Sequence, residues 1–354
     1  MSRLTEMVPP RVGSGALRAV FGLPRPVKRL IVGAPVRADG QELDLDVQLL
    51  LLMTRLENGD LAARTVERAR RGLERGQIYL DRRPSRPVRT RDVDAGGVPA
   101  RLYTPQGLPP GSPLLVYYHG GGWVVGGIDT HDTVCRYLAV HAEVRTLSVG
   151  YRLAPEHRYP AAADDALAAY EFAVTGAEKL GADPEAVAVG GDSAGGNLAA
   201  VVGALAARRP AFALLLYPAT DMTVRRRSRE LFADRFYLTD RAMTWYADHY
   251  CPDRARRAEP AASPLLADLR EFPPTYLVTA GFDPLRDEGE AFAARLADAG
   301  VPVAARRQAD LVHGFANMWP LGGRFVEALA EAAGALRTGL YAGPRGRGTT
   351  GGGR

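Results

Sequence analysis

Cysteine is scarce in this chain. Cys135 and Cys251 are the only two among 354 residues, too few for a disulfide framework or a four-ligand zinc site. No metal site is expected, and a reducing compartment, the cytoplasm, is. Long apolar runs are missing too. Nothing approaches the roughly 18–20 residues of a membrane span, and the run Leu49–Met53 lies within an amphipathic pattern. Arg18 interrupts Gly15–Leu23, so residues 1–30 hold no continuous apolar core of a secretory leader. The body of the chain also lacks excess positive charge. Residues 1–29 and 340–354 together carry +8 against +5 for the whole, which leaves the remainder near −3. The basic pI belongs to the two ends, so no nucleic acid is expected as a partner.

The composition that remains, 46% hydrophobic and 24% charged, is that of a globular protein. Its length suits one large α/β domain or two ordinary domains. Residues 1–30, with Pro9, Pro10, Pro24 and Pro26, read as a loose arm with a short helix at 16–21. Helices are expected at 43–57 and 60–75, and strands at 88–93 and 100–103. From Leu114 compact apolar runs alternate with Ala-rich helical stretches. The runs at 114–118, 145–151, 186–189, 212–217 and 276–279 read as strands buried on both faces, and 301–306 as a further strand. Helices at 161–174, 196–208, 288–299 and 324–338 fall between or after them. That rhythm predicts an α/β fold with a mostly parallel central sheet flanked by helices. Residues 221–262 break it with Arg225-Arg226-Arg227 and a helix at 240–250 capped by Thr239. They read as an insertion. The Gly/Arg-rich residues 341–354 read as a disordered tail.

Four features carry chemistry. Gly191-Asp192-Ser193-Ala194-Gly195 lies between the strand at 186–189 and a helix, so Ser193 is expected on a sharp, strained turn that lifts its hydroxyl above the sheet. The helix behind it points N–H groups at the site and favours developing negative charge. His119-Gly120-Gly121-Gly122-Trp123 follows the strand at 114–118. Its glycines let the N–H groups of Gly121 and Gly122, with that of Ala194, converge on an oxyanion. No Gly-Lys-Ser/Thr follows the glycine run, so it is not read as a phosphate loop. Of six histidines, His313 alone lies after all the strands, where a Ser–acid–His order puts the base. Asp283, on a loop after the strand at 276–279, is the expected acid. Asp287, expected to open a helix, and Asp310, three residues before His313, are its competitors.

Together these stretches resemble the hormone-sensitive-lipase-like branch of the α/β-hydrolases, the microbial family IV esterases. The matching residues are His119–Trp123, Thr130-His131-Asp132, Tyr151–His157, Gly191–Gly196, Asp283–Gly289 and His313-Gly314-Phe315, in the family's order. The resemblance implies a Ser193–Asp283–His313 triad and an oxyanion hole of Gly121, Gly122 and Ala194. It also implies that His119 holds the glycine loop and that Tyr151–His157 is structural. A helical cap would come from residues 1–80 and 221–262, on a catalytic domain spanning 81–340.

The expected activity is hydrolysis of short- to medium-chain carboxylic esters through an acyl-enzyme on Ser193, with no cofactor. Two alternatives use the same fold: an amidase or deacetylase with the same triad, and a ligand receptor without catalysis. Trp123, Phe236, Tyr237 and Trp245 are candidates for the substrate pocket, against a reading of them as ordinary cap packing. The resemblance suggests a homodimer paired through an edge strand, for which 301–306 is the candidate. The basic arm offers weak contact with an anionic membrane surface, against a bland reading as a solvated cap extension.

Overall fold

The computed structural model describes residues 10–57, 65–80 and 82–342. The chain opens with helices α1 (Pro10–Phe21) and α2 (Arg25–Val32), a two-strand ribbon of β1 (Arg37–Ala38) and β2 (Gln41–Glu42), then α3 (Leu45–Glu57) and α4 (Val66–Tyr79). The remaining strands are β3 (Val88–Asp94), β4 (Pro99–Pro105), β5 (Ser112–Tyr118), β6 (Arg145–Val149), β7 (Ala182–Asp192), β8 (Ala213–Leu216), β9 (Thr275–Phe282) and β10 (Val303–Val312). The remaining helices are α5 (Asp132–His141), α6 (Ala161–Thr175), α7 (Ala194–Leu205), α8 (Arg227–Leu231), α9 (Asp240–Tyr250), α10 (Arg286–Asp298) and α11 (Gly323–Tyr341).

One eight-stranded sheet runs in the order β10-β9-β8-β7-β5-β6-β4-β3. Neighbours from β10 to β6 are parallel, while β4 and β3 join antiparallel at the far edge. A strand's period of two divides the core. Leu114, Val116 and Tyr118 of β5 enter one hydrophobic cluster and Leu115 and Tyr117 the other. In β8, Ala213 and Leu215 part from Leu214 and Leu216 in the same way. Both faces are therefore covered, which is why these strands read as unbroken apolar runs. Truncating a fully buried leucine such as Leu214 to alanine is expected to cost about 2–5 kcal/mol.

The arm departs from expectation. Residues 10–21 and 25–32 are helical rather than loose, because Pro10 sits in a first turn where its missing N–H costs nothing and Phe21 is buried in the core. Helix α4 starts at Val66, where the Thr65 hydroxyl accepts the Arg68 N–H at 3.4 Å, and runs to Tyr79. The earlier start expected for it falls at 58–64, outside the described residues. So do the arm's first nine residues and the tail from 343 onward. Helix α5 was not expected. It is ten residues long and buries Thr133, Val134, Cys135, Tyr137, Leu138 and Ala139, so it has no one-sided stripe to read. Strand β10 continues to Val312, well past the expected end at 306.

Candidate active site

Three parallel strands end at the residues singled out by the motifs. Ser193 follows β7, Asp283 follows β9 and His313 follows β10. Ser193 adopts φ 57° and ψ −118°, left-handed backbone that a residue with a Cβ occupies only under strain. Three hydrogen bonds hold it there. Its N–H donates to the Leu216 carbonyl at 2.9 Å, and its carbonyl accepts from Asn197 at 3.0 Å and Ala219 at 3.2 Å. A Cβ on Gly195 would strike the Tyr118 carbonyl, and one on Gly191 the backbone of Gly195. The two glycines let strand, turn and helix cross this closely.

Nε2 of His313 stands 2.9 Å from the Ser193 hydroxyl, and its Nδ1 stands 2.7 Å from a carboxylate oxygen of Asp283. The other Asp283 oxygen accepts the Leu285 N–H at 2.9 Å, which fixes the carboxylate plane. Asp283 is fully buried and His313 nearly so. Neither competing acid reaches the imidazole. Asp287 accepts from the Ser228 N–H at 2.7 Å and from Arg286, while Asp310 is paired with Arg324 at 2.7 Å.

The glycine run lies between the Ser193 turn and helix α9. Gly121 and Gly122 have φ of 119° and 60°, conformations that favour glycine. A Cβ on Gly121 would meet the Val125 carbonyl, and one on Gly122 the ring of Tyr246. Among the described residues, no protein group accepts the N–H of Gly121, Gly122 or Ala194. Three N–H donors without a protein acceptor beside a serine–imidazole–carboxylate relay are the parts acyl transfer needs.

A family model described as the alpha/beta hydrolase fold matches residues 115–317. The Mycobacterium tuberculosis protein named carboxylic ester hydrolase LipN is 42% identical over 353 residues, 95% of this chain and 94% of its own. The chain belongs to the hormone-sensitive-lipase-like branch of the α/β-hydrolases. The ethyl acetate hydrolase of Pseudomonas putida is 37% identical, over 77% of this chain and 89% of its own. A solved structure, the hyperthermophilic esterase of the archaeon Pyrobaculum calidifontis, superposes with a TM-score of 0.80 at 35% identity, covering 84% of this chain and 98% of that one.

Behind the glycine loop this α/β-hydrolase carries a buried polar network that motif reading did not resolve. Asp192 accepts from the Tyr117 hydroxyl at 2.8 Å, the Gly120 N–H at 2.9 Å and Asn317 Nδ2 at 3.1 Å. It also faces His131 Nε2 at 3.3 Å. Burial alone would raise its carboxyl. The neighbouring His131 imidazole and the donated hydrogen bonds outweigh that and hold it down at about 2. His119 stacks on Tyr151, ring centroids 4.2 Å apart, and its Nδ1 lies 2.8 Å from the Gly120 carbonyl. Burial first, and then the neighbouring His131, lower its pKa to about 3. A neutral imidazole with Nδ1–H donating to Gly120 satisfies that geometry. The Tyr151 hydroxyl donates to the His119 carbonyl at 2.7 Å, which ties the 151–157 loop to the same place. Only adjacency in sequence marked Asp192, and nothing in the sequence marked Asn317.

The four aromatic pocket candidates separate. Tyr237 rests against Gly314, beside His313, and is half exposed. Trp123 is buried and stacks on Tyr250 of α9 at 4.4 Å. Phe236 packs on Phe232 and Phe282, and Trp245 lies against His249 and Tyr246. Tyr246, whose ring covers Gly122, was not among the candidates. It lies next to Trp245 on α9, and sequence spacing alone does not say which of two adjacent aromatics faces the loop.

Proposed function

We propose that the chain is a serine carboxylesterase acting on short- to medium-chain esters. The carrying observation is the relay Ser193–His313–Asp283, with separations of 2.9 and 2.7 Å, beside the N–H groups of Gly121, Gly122 and Ala194. Ser193 Oγ attacks the acyl carbonyl while His313 Nε2 takes its proton. Asp283 accepts the Nδ1–H, keeps the reactive tautomer and stabilises the imidazolium. The oxyanion is received by the three N–H groups, and removal of one such donor typically costs about 10²–10³ in rate. Collapse expels the alcohol, protonated by His313. Water, deprotonated by the same imidazole, then releases the acid and restores Ser193.

Residues 1–80 and 221–262 act as the cap in this reading. Tyr246 over Gly122 and Tyr237 beside Gly314 narrow the space around the acyl group, in keeping with short acyl chains. The name of the Pseudomonas putida relative, an ethyl acetate hydrolase, points the same way. A fluorophosphonate probe is expected to label Ser193 of the folded protein, and a panel of p-nitrophenyl esters to give its highest kcat/KM with the shorter acyl groups. An unlabelled Ser193 sinks the enzyme reading, and a maximum at long chains sinks the acyl assignment.

Two further assignments belong here. Strand β10 ends the sheet and leaves Ala304–Arg307 exposed, an open edge on which a second copy can pair. Sedimentation velocity is expected to give a dimer. Both cysteines are buried, unbridged thiols, which supports a reducing location such as the cytoplasm. Among the described residues, no helix is long and apolar enough to cross a membrane.

A further inference from the structure

Helix α2 is amphipathic the wrong way round. Val27, Leu30 and Ile31 follow the i, i+3, i+4 spacing of an apolar helix face, yet that face points into solvent. Leu30 is 86% exposed, Ile31 47% and Val27 40%, with Val36 also exposed just beyond. The residue turned inward is a lysine. Lys28 is buried, donates to the Phe21 carbonyl at 3.0 Å and pairs with Asp46 of α3. The helix is therefore anchored through its cation and presents its apolar stripe outward. Burying a lysine is costly unless it is paired, so this orientation is held by specific contacts and is not a loose docking.

The chain segment that carries the stripe has one sign of charge. From Met7 to Ala38 the chain holds no Asp or Glu and six cations: Arg11, Arg18, Arg25, Lys28, Arg29 and Arg37. Lys28 is neutralised by Asp46 and Arg37 by Glu42. Arg18 and Arg25 are exposed and have no ion pair among the described residues. Arg18 also lines a shallow cleft with Phe21, Leu321 and the exposed Arg82. Helix α1 packs on the turn Phe315–Leu321 that follows His313, so this basic, apolar surface adjoins the loop carrying the base.

We infer that the outward face of α2, with the Arg18–Arg25 surface beside it, docks the protein on an anionic lipid bilayer. Leu30, Ile31 and Val27 enter the interface, while the guanidinium groups meet lipid phosphates. A second copy of the chain is a poor occupant. Pairing this face with itself across a twofold axis sets Arg18 and Arg25 against their own images with no acid between them. The inference rests on the proposed esterase only for its purpose, which is access to apolar esters dissolved in lipid. Binding itself is independent of turnover.

Co-sedimentation with vesicles tests it on the full chain. Vesicles mixing phosphatidylglycerol with phosphatidylcholine are expected to pellet the protein, and added salt to release it. Vesicles of phosphatidylcholine alone are expected to leave most of it in the supernatant. The double variant Leu30→Ser, Ile31→Ser is expected to partition about tenfold or more weaker. The pair Arg18→Gln, Arg25→Gln is expected to lose the preference for anionic lipid. All four positions are exposed, so the variants are expected to keep the wild-type fold, read by circular dichroism and urea unfolding. Wild type that remains in the supernatant overturns the inference, as does equal binding by wild type and Leu30→Ser, Ile31→Ser. So does a dimer that those two substitutions split. Vesicle binding without any ester hydrolysis would sink the esterase reading and leave this one standing.

Discussion

Glu288 offers a test with a definite sign and size. It is buried on α10, and one of its carboxyl oxygens accepts the Thr220 N–H at 2.8 Å and the Asp221 N–H at 3.3 Å. The segment it holds also supplies the Ala219 N–H that bonds the Ser193 carbonyl. Burial is the main cause that pushes its pKa up, to about 8 from 4.5. Asp221 adds to the rise, while the two N–H donors and Arg229 oppose it. A raised folded pKa means that the folded chain keeps a proton which the unfolded chain releases above about pH 4.5. This contribution to stability is complete below that pH and is lost as pH rises through about 8. The difference corresponds to about 4–5 kcal/mol, of which about 4 falls between about pH 5 and pH 9. Glu288→Gln keeps a carbonyl oxygen for both N–H groups and cannot ionise. Its stability difference from wild type should therefore shift by about 4 kcal/mol in favour of the variant over that interval. Urea unfolding of both proteins at the two pH values reads this directly, and any fixed cost of the amide cancels. Parallel pH dependences, within about 1 kcal/mol, would refute the argument that burial keeps Glu288 protonated.

Other expectations are simpler. Ser193→Ala should lower kcat by about 10⁴-fold or more with an unchanged circular dichroism spectrum. Asp283→Asn should cost about 10⁴ in kcat, while Asp287→Asn and Asp310→Asn, whose carboxylates face Ser228 and Arg324, should stay within about tenfold of wild type. The reverse ranking would remove Asp283 from its role. Gly195→Ala forces a Cβ into the Tyr118 carbonyl and should cost about 3 kcal/mol or more in thermal or urea unfolding. A variant of wild-type stability would show that the turn has room to relax.

Sequence determined most about the parts with a local cause. Apolar runs uninterrupted by polar residues announce strands covered on both faces, because such a strand has no wet side. Gly191 and Gly195 around Ser193 announce a turn too tight for side chains, and the order of Ser193, Asp283 and His313 puts acid and base after the nucleophile. Tertiary structure decided what depends on distance. It brought His313 within 2.9 Å of a serine 120 residues earlier and turned Asp287 and Asp310 to other partners. It put Tyr246 rather than Trp245 over Gly122 and closed the Asp192 network through Asn317. It also turned α2, a helix within an arm expected to be loose, so that Lys28 is buried and Leu30 exposed. A turn or a strand is specified by neighbours a few residues away. Which face of a helix is wet, and which of three carboxylates meets an imidazole, depends on groups that only the folded chain brings together.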